Sequence, residues 1–270
     1  ETEVSNKLQK VLKVGKDMDT FFKELEPMLL DVEKVYWAGG EAIITEEHYR
    51  VLDYWLHHKM TDVRLNYTTN FTNMRFKKKS IFEYWKAFDH VVVAASLDGN
   101  HSQGEYLRKN IKWDVVVQNR KDMMKECPDV DFWITPTVSI FNSYNVVDFH
   151  REWVNLGLLK PQNCRLNPLL DPEFYRIQCL PRKLKREVEE KYRDWMKELE
   201  QYPHTDRIIH DYESIIHFMW EEDKTNLLTV FFDKVNQLDH IRSENFFETY
   251  KEFSKLKEYY YKNDFWKNRG

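Results

Sequence analysis

The stretch from His90 to Leu97 reads H-V-V-V-A-A-S-L, a nearly continuous apolar run with three consecutive valines. Side chains alternate between the faces of a strand, so an unbroken apolar run predicts a strand covered on both sides, as inside a parallel sheet layered by helices. One such strand needs neighbours, and the surrounding sequence supplies them in a strand-then-helix rhythm. Val35 to Trp37 is a short β-prone run. Tyr49, Leu52, Tyr54, Trp55 and Leu56 predict an amphipathic helix to about His58, and Val63 to Thr69 predicts the next strand. Ser80-Ile-Phe-Glu83 is a capping-box pattern opening a short helix through Phe88.

Beyond the apolar run, Asp98-Gly99 closes the strand, and Ser102 to Glu105 forms a second capping-box pattern leading to Tyr106, Leu107 and Arg108. Trp113, Val116, Val117, Met123 and Met124 mark a helix to about Lys125. Phe132 to Phe141 predicts a strand broken by Pro136, Val146 to Leu156 a helix stopped by Gly157, and Arg165 to Leu170 a weaker strand. About five alternations imply an α/β fold of βαβ units with parallel strands, open or rolled into a partial (β/α) barrel. At Pro181 the rhythm stops. Leu184, Val188, Tyr192, Trp195, Met196 and Leu199 stripe one long helix, and helical stretches follow at 205–220, 226–238 and 244–261. The expected division is a loop or fragment edge over 1–19, an α/β core over 20–180 that opens with a helix near Thr20, and a helical C-terminal extension over 181–270.

Composition narrows the classes. Among 270 residues, 41 Lys and Arg face 45 Asp and Glu for a formal charge of −4, and no basic cluster is interleaved with aromatics as a nucleic-acid groove requires. The run Arg75 to Lys79 reads as a solvated loop. No segment approaches the roughly 18 apolar residues of a membrane span, and the N-terminus has no apolar signal region, so a soluble, cytoplasmic protein is expected. Cys127, Cys164 and Cys179 are too scattered for a disulfide framework or a metal knuckle and read as ordinary thiols. Asp206, His210, Glu213 and His217 would align on one helix face. Ile208, Ile209, Tyr212, Ile215, Ile216 and Met219 claim the face roughly opposite, so the ligand-like stripe is expected in solvent. His57, His58 and His150 have no partners in sequence.

Parallel sheets bind ligands at the carboxyl ends of their strands. Small polar residues gather there: Gly39, Gly40 and Glu41 after the first strand, Thr69 and Asn70 after the second, Ser96 and Asp98 after the third, Ser139 and Asn142 near the end of the fourth. Two glycines let backbone groups approach a ligand closely, and an adjacent carboxylate can accept hydrogen bonds from an ammonium group.

This set resembles the core of the radical S-adenosylmethionine enzymes. The turn A-G-G-E looks like their second-strand motif, T-T-N like the end of their third strand, and S-L-D-G with Arg108 twelve positions after Ser96 like their fourth-strand pattern. T-V-S-I-F-N-S-Y-N, N-P-L-L-D-P-E-F-Y-R-I-Q-C-L-P-R-K-L-K and D-H-I-R-S-E-N-F-F-E-T-Y resemble the subgroup with a shortened, twitch-like C-terminal extension. The resemblance covers about residues 33 to 255. It implies that Gly39, Gly40 and Glu41 bind the methionyl amine, that Ser96 and Arg108 serve the carboxylate or ribose, and that Asn70 and Ser139 line the nucleoside. The implied cofactor is S-adenosylmethionine, reductively cleaved to a 5′-deoxyadenosyl radical that abstracts hydrogen from a small-molecule or peptide substrate, with an electron donor as partner.

One departure stands out. The family holds a [4Fe–4S] cluster in a C-x-x-x-C-x-x-C loop after its first strand, and thiolates are what such clusters need. This sequence has neither that loop nor that strand, and Cys164 with Cys179 are too few for an auxiliary cluster. The expectation is therefore an N-terminally truncated piece of a longer enzyme, inactive by itself, whose cluster ligands lie outside this chain. A natural relative without the cluster is the second explanation. The alternative from another class is a non-catalytic module binding a nucleoside, an amino acid or a protein on the same rim.

Overall fold

A computed structural model describes residues 18–262. Helix α1 (Met18–Leu29) leads into strand β1 (Lys34–Trp37), a single 3-10 turn over Ala42–Ile44, and helix α2 (Glu46–His57). Strand β2 (Arg64–Thr69) follows, then a small hairpin of β3 (Arg75–Phe76) and β4 (Lys79–Ser80), helix α3 (Ile81–Trp85) and strand β5 (Val91–Ala95). Helices α4 (His101–Leu107) and α5 (Trp113–Glu126) precede β6 (Asp131–Ile134), β7 (Thr137–Val138), α6 (Asn145–Asn155) and β8 (Asn167–Pro168). The rest is helical: α7 (Arg182–Leu199), α8 (Asp206–Glu221), α9 (Leu228–Arg242), α10 (Phe246–Thr249) and α11 (Lys257–Lys262). The expected loop over 1–19 falls outside the described residues except for the start of α1.

The main sheet has the order β1-β2-β5-β6, and every neighbouring pair is parallel. Pro136 has no N–H to give, so the ladder breaks after Ile134. The chain resumes in β7, which pairs in parallel with β8, while Ile134 bridges to Cys164. Parallel strands stepping in one direction with helices between them make a partial (β/α) barrel. Its edge is β1, which has one neighbour among the described residues.

Burial corrects the expectation of strands covered equally on both faces. Val91, Val93 and Ala95 are buried while Val92 and Ala94 are only half-buried, and β2 alternates in the same way, with Leu65, Tyr67 and Thr69 buried. One face lies under the helices, against Trp55, Trp85 and Trp153. The other carries Asn66, Thr68 and the 63% exposed Tyr36, whose hydroxyl meets Thr68 Oγ1 at 2.7 Å. The hollow side of the barrel is thus partly open and polar.

Several boundaries differ from the sequence reading. Ser80 makes no side-chain cap on α3, and α4 begins at His101 after Asn100, so Ser102 lies inside the helix. Glu105 accepts the N–H of Trp113 at 2.8 Å instead of closing a capping box. Arg75 to Lys79 is ordered, with Lys77 on Glu46 and Lys79 on Asp53, both at 2.6 Å. The helix expected over 244–261 is three short pieces, α10, a 3-10 stretch over Lys251–Leu256 and α11. None of the helices among the described residues is long and apolar enough to cross a membrane.

Candidate functional site at the carboxyl rim

The turn after β1 is built on two left-handed residues, Gly39 at φ +78° and Gly40 at φ +55°. A side chain would be strained at either, although the space around both is open. The turn leaves their backbone accessible and delivers Glu41 toward the end of β2. There Thr69 Oγ1 donates to Glu41 Oε1 at 2.7 Å and the Asn70 N–H to Oε2 at 2.9 Å. Both carboxylate oxygens are thus fastened, and each keeps acceptor capacity for a ligand. Thr69 is itself buried and its hydroxyl also accepts the Phe71 N–H at 3.0 Å. Asn70 Oδ1 accepts from the N–H and hydroxyl of Thr72, at 3.0 and 2.6 Å, leaving the amide NH2 as the donor end.

Ser96 continues the ladder, its N–H on Thr69 O at 2.8 Å. Glu41, Thr69, Asn70 and Ser96 therefore form one contiguous group across β1, β2 and β5. Two residues on, Asp98 divides its carboxylate: Oδ2 accepts from Arg108 Nε at 2.7 Å and Oδ1 from the Thr137 N–H at 2.9 Å. Arg108 stands just past α4, 32% exposed, and turns back to the rim instead of out along the helix. Its Nε serves Asp98, and its two terminal nitrogens have no hydrogen-bond partner among the described residues.

Ser139 and Asn142 complete the rim. Asn142 is fully buried; its NH2 donates to the carbonyls of Asp98 and Thr137 at 2.7 and 3.0 Å, and its oxygen accepts the Ser139 N–H at 2.7 Å and hydroxyl at 3.2 Å. One amide thereby ties the loops after β5 and β7 together. Gly99 and Gly104 bring the β5 loop against α4: a Cβ on Gly104 would lie 2.9 Å from the Gly99 carbonyl carbon and nearer still to its oxygen. Behind them Asn145 and Asn100 exchange hydrogen bonds, and the Asn100 amide meets Glu152.

A cavity of about 240 Å³ opens beside the β5 and β7 ends and includes Asp98 and Ser139 in its walls, but not Glu41, Asn70 or Arg108. Its far wall comes from residues to which the sequence reading gave no site role, Tyr175 and, on α9, Leu238 and Arg242. Tyr175 and Arg242 fall inside two of the stretches that carry the resemblance, and Leu238 and Arg242 stand four apart and share a helix face.

The remaining candidates resolve simply. Asp206, His210, Glu213 and His217 are exposed, and no cluster of three or more potential metal ligands occurs among the described residues. Cys127, Cys164 and Cys179 are free and buried, and desolvation pushes each thiol up, to about 11 for Cys127 and Cys179. The three thiols lie apart from one another and from any group of potential ligands among the described residues, so these cysteines do not fit an iron–sulfur group, which takes several thiolates at one place. His150 is a buried hub between α6 and the C-terminal helices, bonded to Pro161, Trp195 and Tyr212.

No protein-family model matches this chain, and no curated protein matches it. Among solved structures, it is similar to anSMEcpe with bound AdoMet and a peptide, at 13% identity over 68% of this chain and 53% of that one, with a TM-score of 0.46. Streptococcus suis SuiB bound to S-adenosylmethionine is similar at 17% identity, over 66% of this chain and 39% of that one, with a TM-score of 0.45. The chain spans about half the length of the first and less of the second. Likeness at this level assigns neither family nor activity.

Proposed function

We propose that this chain is the S-adenosylmethionine-binding part of a radical S-adenosylmethionine enzyme. The observation that carries the reading is the double fastening of Glu41: a carboxylate beside two left-handed glycines, both oxygens held by the end of the next parallel strand. That arrangement is a fixed anion next to accessible backbone, the pair of features an α-ammonium group needs. Glu41 and the carbonyls of Gly39 and Gly40 receive the methionyl ammonium. Arg108, positioned by Asp98, offers its terminal nitrogens as a fork to the carboxylate or ribose, with Ser96 beside it. The Asn70 amide and Ser139 line the nucleoside.

Bound S-adenosylmethionine, once reductively cleaved, is what would abstract hydrogen from a substrate. This chain's residues bind and orient it and do not themselves react. Because the cysteines here do not fit a [4Fe–4S] cluster, no electron-transfer step is assigned to this chain; the twitch-like role of residues 181–270 belongs to the same proposal.

Nuclear magnetic resonance titration tests the binding step. Added S-adenosylmethionine should shift the backbone amides of Gly39, Gly40, Asn70 and Ser96, weakly and in fast exchange, because a cluster's coordination bonds to the methionyl group are missing. Glu41→Gln should weaken the response by roughly tenfold or more, the scale of a hydrogen bond to a charged group. Shifts confined to another face, or unchanged affinity in Glu41→Gln, would overturn the assignment.

A further inference from the structure

The 240 Å³ cavity beside the rim contains an arginine with hydrogen-bonding capacity to spare. Its walls are mainly apolar and aromatic, with Phe141, Leu169, Tyr175 and Leu238 around it. Phe141 packs on Tyr175 at 5.0 Å between ring centroids, and both rings touch Phe231 of α9, so the aromatic wall is braced from behind. Two formal charges face the space, Asp98 and Arg242.

Asp98 is neutralised. Its two oxygens are taken by the Arg108 guanidinium and the Thr137 N–H. Arg242 has N–H donors to spare. Of its five N–H donors, one reaches the Tyr106 carbonyl at 3.0 Å, and the nearest carboxylate oxygen, Glu244 Oε2, stands 3.9 Å away, beyond hydrogen-bond range. Glu244 spends its other oxygen on Lys109, at 2.5 Å. Asp239, on the same helix, accepts its hydrogen bonds from the neutral Tyr106 hydroxyl and Phe246 N–H, both at 2.8 Å, and lies close enough for the Arg242 charge to act on it. The half-buried Tyr175 hydroxyl has no hydrogen-bond partner among the described residues, and Tyr175 lies close enough for the Arg242 charge to act on its ionisation, against the desolvation that raises it. An apolar pocket lined by a guanidinium with N–H donors to spare, and by a tyrosine whose hydroxyl has no hydrogen-bond partner among the described residues, complements an aromatic or aliphatic body ending in a carboxylate.

We propose that this cavity binds the side chain or body of an apolar carboxylic acid, with the acid group received by Arg242 and the Tyr175 hydroxyl. The C-terminal helix α9 then helps to wall a second binding site directly beside the rim, with Asp98 and Ser139 of the rim in its lining. The proposed function supplies the purpose of such a neighbour, a substrate held next to the cofactor; whether the acid binds does not depend on it.

A matched pair of probes decides, using the full chain: 3-phenylpropionate and 3-phenylpropanol, alike in shape and unlike in charge. Ligand-observed magnetic resonance should show the acid binding at least tenfold more tightly than the alcohol. Arg242→Gln should abolish that preference while leaving the alcohol's affinity unchanged, and Arg242→Lys should keep part of it. Leu238→Trp, which fills the space without touching the charge, should remove both probes. Equal affinity for the two probes, absence of binding, or a preference that survives Arg242→Gln would each overturn the inference. A parallel titration with S-adenosylmethionine separates the two readings: loss of cofactor binding with the acid preference intact sinks the proposed function alone, and the reverse sinks this inference alone.

Discussion

Acidification from pH 7.5 to 5.5 should destabilise this protein through two buried histidines, and the size of the effect can be worked out. His150 is fully buried. Its Nε2 lies 2.9 Å from the Pro161 carbonyl and must carry the proton, so Nδ1 is the bare nitrogen that accepts from Trp195 Nε1 at 3.0 Å and faces the Tyr212 hydroxyl at 3.2 Å. A second proton would set an N–H against the indole N–H, and burial lowers the pKa from 6.5 to about 4. His48 sits edge-on to Trp37 at 4.8 Å, bonded only to the Tyr67 hydroxyl, and burial lowers it to about 3. In both, the unfolded chain binds the proton first, so stability is present above the unfolded pKa and is lost as pH falls from there toward the folded value. At pH 5.5 an unfolded histidine of pKa 6.5 is about ten-elevenths protonated while the folded one is nearly neutral, a loss of about 1.4 kcal/mol each and roughly 3 kcal/mol for the pair. Asp239 and Glu252, whose pKa values burial raises, act in the opposite direction and blunt the total. Urea denaturation followed by tryptophan fluorescence at the two pH values therefore needs His48→Gln and His150→Gln beside the wild type. Each variant should flatten the pH dependence by about 1.4 kcal/mol. A double variant as acid-sensitive as the parent would refute the reasoning.

Gly104→Ala should lower stability by roughly 1–3 kcal/mol, because the new methyl meets the Gly99 backbone, which cannot yield; an unchanged thermal midpoint would show that α4 can shift. Asn142→Ala leaves the Asp98 and Thr137 carbonyls and the Ser139 N–H without their partner, and should cost about 3 kcal/mol or more by chemical denaturation. Thr69→Val deletes the hydroxyl on Glu41 with little change of shape. It should weaken S-adenosylmethionine binding severalfold while moving the unfolding midpoint by less than Asn142→Ala does.

The parallel sheet was legible because each of its strands carries its own signal. The valines of β5, the β-branched and aromatic residues of β2 and the proline at 136 all act locally, and local chemistry decided the element. The hairpin over Arg75 to Ser80 was hidden, since its lysines argue for solvent until Glu46 and Asp53, contributed by α2, are seen to hold them. Ser102 misled for a related reason. A capping box describes two residues in isolation, whereas here the Trp113 N–H competes for Glu105 and the Asn100–Asn145 exchange fixes the helix start. At the rim, the residue types and strand ends could be listed from sequence, but not who bonds whom. Nothing local to Arg108 shows that Asp98 claims its Nε, and Arg242, although inside the D-H-I-R-S-E-N stretch, lies far from every strand-end motif and gives no sign of the cavity it lines.

The two fastened charges at the rim also explain why this edge can wait for a ligand without collapsing on itself. Left unpaired, Glu41 and Arg108 would each gain by pairing with any opposite charge in reach, and a site made of mutually attracting groups must be pulled apart before it can bind. Here Glu41 is held by neutral donors, the Thr69 hydroxyl and the Asn70 N–H, which orient the carboxylate without cancelling its charge. Arg108 is held at Nε by Asp98, which does cancel charge but leaves the planar end of the guanidinium to form two parallel hydrogen bonds. The amine side of the rim thus keeps its full charge, and the carboxylate side keeps its geometry. A zwitterion bound across them would be steered mainly by Glu41 and aligned mainly by Arg108. Raising the salt concentration should accordingly weaken ligand binding more in the parent than in Glu41→Gln, and the salt dependence of Arg108→Ala should stay close to that of the parent.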